Sequence, residues 1–73
     1  MTNQIRSFRS MTHAERAKRA LERAGVQCSI VGLDRSLTSR GCAYGVEYRL
    51  ADSATVARVL AAISLDYGEV LGR

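Results

Sequence analysis

The sequence predicts an α+β domain of β-α-β-β-α-β order, and three observations carry that expectation. Two segments, Val26 to Ile30 and Tyr44 to Leu50, alternate apolar and polar residues as half-buried strands do. Two others repeat apolar residues at helical spacing: Ala14, Ala17, Leu21 and Ala24 in one, and Val56, Val59, Leu60 and Ile63 in the other. Proline is absent, and the breaks between these segments fall at glycine and hydroxyl residues.

Taken in order, the first strand is expected from Gln4 to Arg9. Arg6 shares a face with Phe8 there, so the element rests on its place in the order more than on its pattern. Thr12-His13-Ala14-Glu15 has the form of a capping box and predicts a helix from Thr12 to Ala24. Gly25 stands where a left-handed C-terminal cap belongs, and Glu15 and Arg19 are spaced for an i,i+4 pair on the outer face. The narrow alanine stripe suits a helix lying close to a sheet. Leu33 to Cys42 is rich in Ser, Thr, Arg and Gly and too long for a tight hairpin turn, so it reads as a working loop between the second and third strands. Asp52 and Ser53 can cap a second helix, Ser53 to Ser64, and Gly68 opens a short last strand, Glu69 to Gly72. Two β-α-β halves in this order give a ferredoxin-like fold, a four-stranded antiparallel sheet with two helices on one face. The other sheet face is expected to be open and suited to homodimerisation.

Seventy-three residues make one domain, 1–73, with no room for a separate catalytic domain. A hydrophobic share of 47% against 25% charged argues for a folded chain. The opening MTNQIRSFRS lacks the apolar run of a signal peptide, and no later stretch approaches the ~20 apolar residues of a membrane span, so a cytoplasmic location is expected. Two cysteines in such a chain read as thiols rather than as a disulfide framework. The net charge of +4 suits an anionic ligand or an acidic partner, although many arginines alternate with glutamates in the manner of a solvated helix face.

No Gly-rich phosphate loop, paired Cys-x-x-Cys motif, Ser-His-Asp series or aromatic RNA-stacking signature occurs. Hydrolase, kinase and zinc-enzyme readings are therefore poor, no metal or cofactor is called for, and thiol chemistry remains. Cys28 lies mid-strand on the face of Val26 and Ile30, where a cysteine packs as a small hydrophobe. Cys42 ends the Arg-Ser-Leu-Thr-Ser-Arg-Gly loop. Four or five strand positions, roughly 15 Å, separate the two, and a disulfide needs Cα atoms within about 7 Å, so no bridge between them is expected. Chain reversal at each element brings Ser10, Thr12 and His13, at the start of the first helix, to the end of the sheet that carries Cys42. A helix N-terminus favours an anion, and Arg35 and Arg40 add charge that lowers a thiol pKa. The plain alternatives are that Ser10 and Thr12 only cap a helix, His13 is a solvated first-turn residue, Gly41 satisfies a turn and Cys42 is incidental.

The ordered series Phe8-Arg9-Ser10-Met11-Thr12-His13-Ala14, Ala20-Leu21-Glu22-Arg23-Ala24-Gly25-Val26 and Arg35-Ser36-Leu37-Thr38-Ser39, leading to Gly41-Cys42-Ala43-Tyr44, resembles the selenium/sulfur (Se/S) carrier-like family over nearly the whole chain. The resemblance implies a non-enzymatic role in which the loop cysteine, here Cys42, holds sulfur or selenium as a persulfide or perselenide. The family's helix-start serine falls on Ser10. Donor and acceptor proteins are the partners it implies. The sequence departs from the family pattern at Ala43, where glycine commonly follows the cysteine, at Asp34, where proline often precedes the loop arginine, and at Arg6, where an apolar residue is expected. Two other readings stand beside it. One is a small protein-interaction or regulatory domain using the open sheet face, with Cys42 incidental; the other, nucleic-acid binding through the arginines, lacks stacking aromatics on a recognisable motif.

Overall fold

The computed structural model describes residues 3–34, 43–65, 67–68 and 70–72. In chain order they form β1 (Asn3–Phe8), α1 (Met11–Arg23), β2 (Cys28–Gly32), β3 (Tyr44–Arg49), a 3-10 turn (Leu50–Asp52), α2 (Ser53–Ala62) and β4 (Val70–Gly72). The strands make one sheet in the order β2-β3-β1-β4, with every neighbouring pair antiparallel. This is the ferredoxin-like arrangement expected from the sequence.

The β1–β3 ladder runs from Asn3 opposite Arg49 to Phe8 opposite Tyr44, and β2 sets Cys28 opposite Tyr48 and Gly32 opposite Tyr44. Because side chains alternate across a sheet, Phe8, Tyr44, Arg6, Val46, Ile30, Gln4, Tyr48 and Cys28 share one face. On that face Phe8, Val46 and Tyr48 form a single core with Ala14, Ala17 and Leu21 of α1 and Val56 and Leu60 of α2. Both helices therefore cover the same side. Ala14 and Ala17 are wholly buried, and their single methyl groups allow α1 to approach the sheet closely.

The helix ends differ in detail from the sequence expectation. The cap of α1 is Ser10, not Thr12: Ser10 leaves β1 in an extended conformation and its Oγ accepts the His13 backbone N–H at 3.2 Å. Helix geometry thus begins at Met11, and Thr12 is already an exposed first-turn residue. At the other end Gly25 takes φ 84, as a left-handed cap requires. Ala24 is exposed instead of belonging to the buried stripe, and Val26 closes the core there. The i,i+4 ion pair along α1 is Lys18–Glu22 at 3.6 Å rather than Glu15–Arg19, and its exposure makes it a minor contributor. α2 stops at Ala62 because Ser64 turns left-handed, φ 53, and the Leu65 N–H returns to the Leu60 carbonyl at 3.1 Å, which buries Leu65.

The sheet face away from the helices is closed at its centre, contrary to the expected open surface. Ile5, Ser7 and Gly45 are buried there. The cause is close packing over Gly45: a Cβ at that position would lie 2.5 Å from Ile5 Cγ2 and 3.1 Å from Leu33 Cδ1. The missing side chain lets Ile5 and Leu33 fill the space themselves.

Arg6 is buried on the helix side, which explains how a charge occupies an otherwise apolar strand face. Its Nε donates to the Tyr48 hydroxyl at 3.0 Å, Tyr48 donates onward to Gln4 Oε1 at 2.7 Å, and the Tyr67 ring covers the guanidinium at 4.3 Å from its centroid. Burial pushes the Tyr48 phenol above its ordinary range, with the Arg6 charge acting in the opposite direction. Tyr48 therefore stays a neutral hydroxyl that accepts from one neighbour and donates to the other.

Two stability outcomes follow from these contacts. Gly45→Ala should lower unfolding stability by about 1–3 kcal/mol through overpacking against the stiff Ile5 branch, and Ile5→Ala in the same chain should recover part of that loss. Gly32→Ala, where nothing lies within 4 Å of the added methyl, should be neutral or stabilising; equal effects at the two glycines in urea denaturation would refute the packing account. Tyr48→Phe strands both Arg6 and Gln4, and should cost about 1–3 kcal/mol. Arg6→Met leaves the Tyr48–Gln4 bond intact, so denaturation should find it the milder change.

Candidate functional site

The site is built by three chain segments that reach the same edge of the sheet. β1 ends at Phe8, directly opposite Tyr44, and the turn through Arg9 and Ser10 opens α1. β2 ends at Gly32, also opposite Tyr44, and the Leu33 N–H donates to the Ala43 carbonyl at 2.8 Å, extending the β2–β3 pairing one step beyond the strands. The α2–β4 connection arrives at this edge too, where the Gly68 N–H donates to the Ser7 carbonyl at 2.7 Å.

Of the residues singled out from the sequence, Ser10, Thr12 and His13 lie in this described region. Ser10 performs the capping role, which satisfies one of the N–H groups a helix start leaves unpaired. Thr12 and His13 are exposed, and His13 faces a cleft whose other lining residues include Arg9 and Arg16. Arg35, Arg40, Gly41 and Cys42 lie outside the described residues. What the structure gives at that point is the base of their segment, Leu33 and Ala43, held together at the edge where α1 begins.

Cys28 is a different kind of thiol. It is a half-buried free cysteine on the helix side of β2, with Sγ 3.8 Å from the Lys18 carbonyl oxygen. Burial first, and the Glu22 carboxylate second, push its thiol up, while Lys18 pulls weakly the other way. It is held protonated at neutral pH and acts as a packing group. Four strand steps, about 13 Å, separate it from the Gly32–Tyr44 end where the β2–β3 connection begins.

The sequence reading missed Arg9, Arg16 and Tyr67. Arg9 precedes α1, in the turn that leaves β1, so only His13 and Arg16 share a helix face, and helical periodicity does not bring Arg9 beside them. Arg16 belongs to the arginines that alternate with glutamates on a solvated helix face, and Arg9 falls at the end of the expected first strand. Among the described residues no group of three His, Cys, Asp or Glu side chains is placed to hold a metal ion, and no helix is long and apolar enough to cross a membrane.

No curated protein and no solved structure matches the chain. A family profile described as "Putative Se/S carrier protein-like" matches residues 5–71, a span that runs from the first strand to the last and takes in the connection between β2 and β3. With the match covering all but the ends of the sequence, the chain belongs to the Se/S carrier protein-like family.

Proposed function

We propose that the chain is a non-enzymatic carrier that receives sulfur or selenium on Cys42 and delivers it to an acceptor protein, acting as a single domain in the cytoplasm. The family match over residues 5–71 carries this reading. In the loading step the Cys42 thiolate attacks the outer sulfur of a donor persulfide. The donor's S–S bond breaks, its thiolate leaves, and Cys42 retains a persulfide; transfer to the acceptor repeats the exchange with the acceptor thiolate as nucleophile. No net oxidant or reductant is needed.

Three features support the choice of thiol. Cys28, the alternative, is held protonated and half-buried. The start of α1, with Ser10, Thr12 and His13, lies at the edge of the sheet from which the Cys42 segment departs. Charge stabilisation by an exposed helix N-terminus is worth about 0.3–1 kcal/mol, under one pKa unit, so Arg35 and Arg40 are assigned the larger share, and Gly41 is assigned with them to the support of the thiol. The reading as an interaction domain loses its main support, because the sheet face it would use is closed at Ile5, Ser7 and Gly45.

Incubation with a low-molecular-weight persulfide donor followed by intact-mass analysis should add one sulfur to the wild type and to Cys28→Ala, and none to Cys42→Ala. Loading that survives Cys42→Ala would reject the proposal. Alkylation across a pH series should separate the two thiols: Cys42 should react at neutral pH, whereas Cys28 should react only above the ordinary thiol range of about 8.5. The raised Cys28 and Tyr48 values carry a further sign. The folded chain keeps protons that the unfolded chain releases, so stability is fully present below the unfolded thiol value and declines as pH rises through the folded ones. Cys28→Ala should flatten the lower part of that decline.

A further inference from the structure

We propose that the cleft between the start of α1 and the α2–β4 connection binds a small organic phosphate, its phosphate held by Arg9, His13 and Arg16 and its planar remainder lying against Tyr67. Its named residues are all described, and it shares His13 with the start of α1 that supports the proposed carrier thiol.

The cleft has a volume of about 610 Å³, and its floor and far wall are Ser64, Leu65, Tyr67 and Gly68. Small-molecule sites typically enclose roughly 300–1,000 Å³, so the space exceeds what a bare ion needs and fits a small organic ligand. Its two walls differ in chemistry. One presents two guanidinium groups and an imidazole, with no carboxylate among the described lining residues. The other presents Ser64 and Gly68 beside buried Leu65 and a Tyr67 ring that is 41% exposed.

The cationic wall stands where helix physics disfavours it. The N-terminus of a helix carries the positive end of its dipole and is ordinarily flanked by acidic residues. The first turn of α1 has none; Arg9 stands just before it, His13 lies in it and Arg16 follows Glu15 in the next turn. Positive charge set against a positive dipole end is a local conflict, and a bound dianion resolves it: the dipole, the guanidinium groups and the ligand charge then all attract. Arg donors pair with phosphate oxygens in bidentate geometry, which gives directional recognition as well as charge.

Tyr67 is suited to the other half of the ligand. The Arg6 guanidinium is stacked on its ring, 4.3 Å from the centroid, and this anchors the ring from inside the fold while leaving it part of the cleft lining. An aromatic ring held in place this way offers a stacking platform for a planar group at low ordering cost.

Isothermal titration with AMP, inorganic phosphate and adenosine as probes tests the site. AMP should bind saturably, at least tenfold tighter than either phosphate or adenosine alone. Arg16→Gln and Arg9→Gln should each weaken AMP binding at least fivefold. Arg19→Gln, which removes the same charge from an exposed position of α1 outside the cleft, should leave it within twofold. All three positions are exposed, so thermal unfolding should confirm that the variants fold alike. Absence of saturable AMP binding, phosphate binding as tightly as AMP, or an Arg19→Gln loss equal to that of Arg16→Gln would overturn the proposal, the last reducing it to general charge attraction. Persulfide loading in Cys42→Ala and AMP binding are independent readouts, so failure of one reading does not carry the other with it.

Discussion

The pairing of β1 with β3 is the constraint on which the other features depend. It joins the two β-α-β halves, so its register decides which residues face the helices and which segments meet at each sheet edge. A slip of β1 by one residue would turn Phe8 out of the core and bring Ile5 and Ser7 in. Gly45 secures that register from the opposite face. Its lack of a side chain admits Ile5 and Leu33, and a shifted strand would place a larger side chain against them. The same register sets Phe8 beside Tyr44 and thereby brings the start of α1 to the base of the β2–β3 connection.

Arg6 shows how this sheet accommodates a charge on its helix side. A buried guanidinium is costly unless its donors are satisfied and its charge is stabilised. Among the described residues its partners are neutral: a tyrosine hydroxyl that is itself fixed by an amide, and an aromatic face. Nor is the arrangement confined to the core. Because Tyr67 both covers Arg6 and lines the cleft, the buried cation sets the position of a surface ring. The departure from an apolar strand 1 is thus linked to the shape of the cleft and not merely tolerated.

Strand alternation in β2 and β3 and the helical spacing of the apolar residues made the topology legible, because both periods report directly on one-sided burial. Cap identity was less legible. Ser10 and Thr12 are equally able to accept a backbone N–H, and the choice between them was made by where β1 releases the chain, which is set by its pairing with β3. The closure of the far sheet face was hidden for a related reason: Gly45 and Ile5 are distant in sequence, and only register reveals that one makes room for the other. At the site, Ser10 to His13 could be placed from chain reversal alone. Arg9, Arg16 and Tyr67 needed the path of the α2–β4 connection, where a left-handed Ser64, a conformation uncommon for serine, turns the chain toward α1.

The distribution of charge gives the fold a polarity that bears on both proposals. At the edge of the sheet where α1 starts, the helix dipole and the Arg9, His13 and Arg16 side chains act in one direction, and any anionic species brought there is favoured over its neutral form. About 13 Å away along β2, burial and Glu22 act in the opposite direction on Cys28 and keep it neutral. A carrier with two cysteines needs such a difference, since a second reactive thiol would compete for cargo or close a disulfide with the first. On the carrier reading, the raised pKa of Cys28 removes the competition. Cys28 can therefore serve the core as a packing residue without interfering with chemistry assigned to the other end of the sheet.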